Sequence, residues 1–428
     1  MSELAFDIEW EDPGGARGEE LRATWARLEI RVGESIVTHA FDPVLNSVRT
    51  GLYAPLYPVA EWVVMNWWPL LRECQMPSRT YEVTYDKRHN LRFAGEGFAM
   101  PWLELRPTSG RFAIEWRQRD LPRQRLNFIC EGSAVIESNL VEESLSLFVN
   151  RVVERLGNRG IHGTPLQEDW ESILSQGAEE AAFCNAAGAM GLDPFDVPDQ
   201  VSKGVLEASS SLPGELQSDF FEAADLMRLG DQLEWVKSGL RLAHDQDLDL
   251  PNLKRVKAEL IKANSNKSPW FQGYDLAREL RNALGIAGKE HIALAELSPG
   301  DKIEQALVPH RKQPGFDAIA ALNQAGSPSF VVRPGNDLSK RFAFCRALFE
   351  FLNCASPTPS LISPAISEKQ KRNRAFAAEL LAPEGLIRDR MSSRSIDCAE
   401  VEDLATKFEV STYVIEHQIK NHQLGEVL

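Results

Sequence analysis

The sequence has no pair of histidines four apart, no Cys-x-x-Cys pair and no long uninterrupted hydrophobic run. Each absence removes a class of function. Without two histidines one helical turn apart, no helix can turn two imidazoles toward one zinc ion. Only His417 and His422 lie close together, and a spacing of five does not stack them on one helix face. The six cysteines, Cys74, Cys130, Cys184, Cys345, Cys354 and Cys398, are scattered. A chain of 428 residues can bury cores without covalent staples, so they read as reduced thiols of a cytosolic protein. The most apolar window, residues 55–71, is interrupted by Pro58, Glu61, Asn66 and Pro69, too short and polar to span a bilayer. Positive charge is also in short supply. Lys and Arg number 47 against 62 Asp and Glu, a formal net charge of -15, which opposes broad binding to nucleic acid or an anionic membrane. The phosphate-cradling G-x-x-x-x-G-K-[ST] and G-x-G-x-x-G loops and the G-x-S-x-G nucleophile elbow are missing, so no cofactor is implied. The opening MSELAFDIEWEDPGG is acidic, without the basic start of a signal peptide.

What is present is ordinary globular material, 43% hydrophobic and 25% charged. The pattern predicts an α+β chain in three parts: residues 1–160, 161–265 and 266–428. In the first, ATWARLEIRVG alternates like a strand, and PWLELRPTSGRFAIEWRQ reads as a hairpin around Pro-Thr-Ser-Gly. LNFICEGSAVIE adds a strand or two, and PLYPVAEWVVMNWWPLL and VEESLSLFVNRVVERL read as helices. The cluster of Trp62, Trp67 and Trp68 reads as core packing rather than a ligand box. RQRDLPRQR, residues 117–125, reads as a solvated strand end, with a phosphate patch as the alternative. The middle part reads as helical, with EEAAFCNAAGAMGLDP stopped at Gly191 and a later pair of helices broken near Gly230. HDQDLDL, residues 244–250, lacks the glycine of a calcium loop and reads as a solvated loop.

The last part carries the motifs. GYDLARELRNAL is an amphipathic helix, and HIALAELS, GFDAIAALN and PSFVVRPG read as short strands. KRFAFCRALFEFL follows as a helix packed through Phe342, Phe344, Leu348 and Leu352. Next come SEKQKRNRAFAAELLAPEG and VEDLATKFEVSTYVIEHQIKNH. In this order the segments resemble the ImmA/IrrE family of metallopeptidases over roughly the last 160 residues. In that family a helix of the form R-F-x-x-A-H-E-L-G-H precedes one of the form E-x-x-A-N-x-F-A-A-x-L-L-x-P, and a helix-turn-helix-like tail, L-A-x-x-F-x-V-S, closes the domain. Here Arg341-Phe342, Phe376-Ala377-Ala378-Glu379-Leu380-Leu381-Ala382-Pro383 and Leu404-Ala405 through Phe408, Val410 and Ser411 carry the match.

The resemblance implies a zincin-like domain with a small sheet. Its alignment places the first metal-binding histidine at Arg346, the general base at Ala347, the second histidine at Glu350 and the third ligand at Gln370. Arginine cannot lose its proton to bind a metal, and alanine cannot accept one. The degenerate positions therefore hold no metal and carry no catalytic residue. Arg346 and Glu350, four apart, can pair with each other, and Ser367 with Gln370 forms a capping-box pattern. The altered groove, with Arg346, Glu350, Lys371, Arg372, Arg374 and Glu379, becomes a candidate surface for a protein partner. SEKQKRNR has a local charge of +3, which reads as a solvated face or as a dock for an acidic peptide or phosphate.

Three functions are open at this point. The first is a catalytically inactive regulator or scaffold that binds a protein partner in a bacterial stress, toxin–antitoxin or phage-defence setting. The second is a peptidase or other hydrolase with a non-standard site around Glu350 and Glu379. The third is a DNA-binding regulator, disfavoured because residues 400–422 hold five acids and two bases, a balance of -3. Oligomeric state is not legible.

Overall fold

The computed structural model describes residues 3–11, 17–77, 79–108, 110–118, 126–260, 268–311, 315–354 and 358–427. The protein is mixed α+β and divides into two compact units, Met1–Leu206 and Glu207–Leu428. That division falls inside the stretch 161–265 delimited from sequence. Among the described residues, no helix is long and apolar enough to cross a membrane. Most of RQRDLPRQR, residues 119–125, lies outside the described residues.

The N-terminal unit is built on β1 (Leu4–Trp10) and β2 (Trp25–Val32), antiparallel from Leu4 opposite Val32 to Trp10 opposite Ala26. Alternation puts Ala26, Leu28, Ile30 and Val32 inward. β3 (Leu52–Pro55) flanks β2. The expected helix over residues 55–71 is two, α1 (Tyr57–Met65) and α2 (Trp67–Arg72). Asn66 separates them, its side chain returning to the Trp62 carbonyl at 2.8 Å. Of the three tryptophans read as core, Trp67 and Trp68 are buried and Trp62 is half-buried. After α3 (Arg79–His89), the hairpin of β4 (Trp102–Thr108) and β5 (Arg111–Arg117) forms as expected and pairs with β6 (Gly132–Glu137). α4 (Ser138–Asn158) buries Val141, Leu145, Phe148, Val149, Val152 and Leu156. The Phe148 ring lies 4.8 Å from that of Phe6 on β1. α5 (Pro165–Leu174) starts with a capping box between Thr164 and Gln167. α6 (Ala178–Ala189) explains its small-residue face: a Cβ at Gly188 would sit 2.6 Å from the Trp68 backbone.

In the C-terminal unit, α7 (Gly214–Phe221) and α8 (Leu229–His244) precede the family-like segment. The break between them is at Glu222–Arg228, and Gly230 lies within the first turn of α8, where an exposed glycine is tolerated. α9 (Pro269–Ala283) is the amphipathic helix read from sequence. HIALAELS is not a strand. Leu294–Leu297 is a 3-10 turn, fixed by the Glu296 carboxylate accepting from the Ala293 N–H at 2.9 Å. The sheet uses β7 (Leu307–Pro309), β8 (Ala318–Leu322), β9 (Pro328–Val332) and β10 (Ser360–Ile362), in the order β7-β9-β8-β10. β7 runs parallel to β9, and the other pairs are antiparallel. α8 and α10 (Asp337–Asn353) pack on it, and α11 (Glu368–Leu381) packs against α10.

α9 lies close against α11 because Gly273 lets the backbones meet. A Cβ there would fall 2.3 Å from the Arg372 carbonyl oxygen and 2.8 Å from the Phe376 nitrogen. Buried Arg281, on the same helix, donates to carbonyls of Leu380 (2.5 Å), Ile286 (3.1 Å) and Lys289, closing loop and helix together. The terminal pair, α12 (Cys398–Phe408) and α13 (Thr412–Asn421), turns at Glu409 in the left-handed region, φ 50°. Val401, Leu404, Ala405, Phe408, Val410, Val414, Ile415 and Ile419, whose spacing suggested the pair, are all buried.

Gly273→Ala should destabilise the protein by about 1–3 kcal/mol through overpacking. Thermal and denaturant unfolding read this directly, and an unchanged midpoint would mean the two helices can move apart freely.

Candidate functional site

The site grows from α10. Asn336 caps its start, accepting from the Ser339 N–H at 2.8 Å. Phe344, edge-on to Phe330 of β9 at 5.0 Å, fixes the helix against the sheet. That rotation turns Arg346 and Glu350 toward α11, and both are buried, 4% and 9% exposed. Ala347 between them is fully buried and serves packing alone.

Four hydrogen bonds hold the Arg346 guanidinium. Nη1 donates to the Asp317 carboxylate at 2.9 Å and Nε to the Asn373 side-chain oxygen at 2.8 Å. Nη2 donates to the Ser363 carbonyl at 2.6 Å and to Gln370 Oε1 at 2.7 Å. Asp317, just before β8, is held from its other oxygen by Arg333 at 3.1 Å. Gln370 Oε1 also accepts from the Ser363 N–H (3.2 Å) and from Asn373 Nδ2 (3.2 Å), while Nε2 donates to the Leu361 carbonyl at 2.9 Å. Ser367 caps α11 as read, but the Gln370 side chain turns to these partners instead. Arg346 and Glu350 do not pair directly. Asn373 joins them, donating to Glu350 Oε1 at 3.0 Å. Arg346, Glu350 and Gln370 thus meet in a closed polar core.

The charged run after Ser367 is not a solvated face. Lys369 turns in to Asp219 of α7 at 2.6 Å, and Asp219 also accepts from the Leu361 N–H at 2.9 Å. Arg374 shares the Ser363 carbonyl with Arg346, at 3.2 Å, and donates to the Ala365 carbonyl at 2.6 Å. Lys371 and Arg372 are half-buried, and Arg372 reaches Gln272 of α9 at 3.4 Å. Glu379 lies apart from this cluster. It accepts from Arg278 (2.7 Å), Gln418 (3.0 Å) and the Glu384 N–H (3.2 Å), with His422 at 3.6 Å.

Burial sets the electrostatics. It pulls the Arg346 guanidinium below its usual range, with Asp317 opposing. Burial pushes the Glu350 carboxyl up against the attraction of Lys369. Arg374 is pulled down to about 9 by burial and by Arg346 beside it. For Lys369, burial acts downward, but Asp219 and Glu350 prevail and hold the ammonium up.

The residues do not fit a zinc ion. Arg346 offers no lone pair, Gln370 Oε1 already accepts three hydrogen bonds, and Glu350 alone makes a poor ligand set. Among the described residues, no three His, Cys, Asp or Glu side chains converge as a metal site. The arrangement can neutralise charge and join elements. Cys345 is fully buried and its thiol pushed up to about 12 by burial, which makes it unreactive. Sequence reading missed Asp317, Asn373 and Asp219. Asn373 carried a signal, since it lies three residues after Gln370, on one helix face, where the family pattern has alanine. Neither a protein-family model nor a curated protein matches this chain.

Arg346→Ala removes a buried charged donor from Asp317, Asn373 and Gln370 and leaves the space of its side chain empty, and should cost about 3–5 kcal/mol in denaturant unfolding; a loss under about 1 kcal/mol would contradict the cluster's role. Glu350 titrates with the opposite sign to a paired surface carboxylate. Its raised native value favours the protonated form, so its contribution is present below the ordinary carboxyl range and fades as pH rises through the native value. Glu350→Gln keeps the acceptor for Asn373 and removes that fade. The variant should gain stability over the wild type as pH rises above the ordinary carboxyl range, and parallel stability–pH curves would refute this.

Proposed function

We propose that this chain is a catalytically silent relative of the ImmA/IrrE metallopeptidases, a cytosolic regulator that binds a protein partner rather than cleaving one. The observation that carries the reading is the convergence of Arg346, Glu350 and Gln370. The family pattern assigns these positions to metal ligands on two separate helices, and they lie in one hydrogen-bonded cluster around Asn373. The order of parts supports it too: α9, a small sheet, α10, α11 and the pair α12–α13 follow as the resemblance requires.

In this reading Arg346 supplies the positive charge a metal would carry, and Gln370 and Asn373 replace its ligand shell with hydrogen bonds. Hydrolysis is lost because nothing polarises a water or takes its proton. What remains is a rigid domain whose rim, including Lys371 and Arg372, contacts the partner. The resemblance sets this in a bacterial stress, toxin–antitoxin or phage-defence response, where the active relatives cleave a regulator.

The test restores the ligands with Arg346→His, Ala347→Glu, Glu350→His and Gln370→Glu in one chain. Elemental analysis should find about one zinc per chain in the folded variant and none in the wild type, whose peptidase activity should be nil. Stoichiometric zinc or chelator-sensitive peptide hydrolysis in the wild type, or a folded variant that ignores zinc, overturns the reading.

A further inference from the structure

Several outer strand edges of this protein are closed by side chains. The carbonyls of Leu4, Phe6 and Ile8 on β1 turn away from β2 and accept from Ser144 (2.6 Å) and Arg151 (3.3 and 2.9 Å) of α4. On β4, the Leu105 carbonyl lies 2.9 Å from His89 Nδ1, and an isolated antiparallel bridge joins Glu104 to Asn90. On β10, the Leu361 N–H donates to Asp219 at 2.9 Å and its carbonyl accepts from Gln370 at 2.9 Å.

β6 differs. It pairs with β5 along its whole length and, among the described residues, with no other strand. The same register continues one residue further, where the Ser138 N–H donates to the Gly110 carbonyl at 3.0 Å. Counting back from that bonded pair, alternate residues bond to β5. The N–H and C=O of Ser133 and Val135, and the N–H of Glu137, therefore point outward. Among the described residues no hydrogen bond reaches these outward groups. Ser133 and Glu137 are exposed, and Val135 is 55% exposed. Lys and Pro, which commonly guard such an edge, are absent from Gly132–Glu137. An open edge of this kind is a template for a further strand.

The strand is complementary to itself. We propose that β6 pairs antiparallel with β6 of a second copy, centred on Val135, so that the sheet of β4, β5 and β6 runs on from one chain into the other. This register sets Val135 opposite Val135 and Ser133 opposite Glu137. The two valines bury each other, each serine hydroxyl stands beside a carboxylate, and no like charges are opposed. Val135 and its copy exchange both outward bonds, and each Glu137 N–H meets a Ser133 carbonyl. On the other face of the strand, half-buried Ala134 meets Ile136 of the second copy. A register centred on Ala134 sets Glu131 against Glu137, so charge selects the alignment. The pairing belongs to the N-terminal unit and stands apart from the peptidase-like reading, which concerns the other unit.

Sedimentation velocity on the full chain over a range of concentrations tests it. A monomer–dimer equilibrium is expected, with a dissociation constant of about 1–100 µM. Val135→Lys sets two ammonium groups opposite each other at the two-fold axis. Val135→Pro removes an outward donor and leaves the bonds between β5 and β6 in place. Each variant should weaken the dimer about ten-fold or more, with unchanged circular dichroism. In the wild type, amide exchange at Val135 and Glu137 should slow as concentration rises. Should Val135→Pro not fold, Val135→Lys decides, because that side chain is exposed. A monomer at every concentration up to about 0.5 mM overturns the proposal. So does a dimer that the folded variants leave intact, which forms through another surface, or exchange at Val135 that ignores concentration.

Discussion

A guanidinium taken almost wholly out of water needs acceptors around it, and Arg346 imposes that condition on the C-terminal unit. Arginine cannot shed its proton to escape burial, and removing such an ion from water costs several kcal/mol. Its four hydrogen bonds go to the residue before β8, the segment after β10 and two positions on α11. Sliding α11 along α10 by one turn would strand the charge, so the register of helix, helix and sheet is fixed together. The dependence runs outward from there. Arg333 steadies Asp317, Asn373 passes the network to Glu350, and Lys369 closes its far side on Asp219. Gly273 completes the arrangement from behind by admitting α9 against α11.

The N-terminal unit solves a similar problem with the opposite charge. Glu73 is fully buried, yet it accepts from Arg88 Nε at 2.8 Å and lies 3.1 Å from His89 Nε2. Burial alone would raise this carboxyl, but His89 and Arg88 hold it down to about 2. His89 Nδ1 contacts the Leu105 carbonyl at 2.9 Å, so the ion ties α3 to β4.

The rhythm of the elements was legible because it rests on burial alone. Alternation marked β2 and the β4–β5 hairpin, and helical spacing marked α4, α9 and the pair α12–α13. HIALAELS alternates well enough for a strand, but Glu296 bonds back to its own backbone and takes the chain into a 3-10 turn. Asn66 split one apolar run into two helices by the same kind of local competition. Helical spacing put Arg346 and Glu350 on one face, and the family pattern brought Gln370 to them. It could not show that a third side chain, Asn373, stands between the two charges. Asp317 and Asp219 reach the cluster from segments 29 and 150 residues away from their partners, a distance no local pattern encodes. The charged run SEKQKRNR misled for the same reason, since its bases look solvated until the acids that draw them inward are known.

Arg346, Gln370, Asn373 and Glu350 hold together as one hydrogen-bonded unit. A double-mutant cycle between Arg346→Met and Gln370→Met, followed by denaturant unfolding, measures this directly. A coupling of about 1–3 kcal/mol is expected, the double variant being less destabilised than the two single losses combined. Additivity within about 0.5 kcal/mol would show that the two side chains are merely neighbours, and would contradict the account.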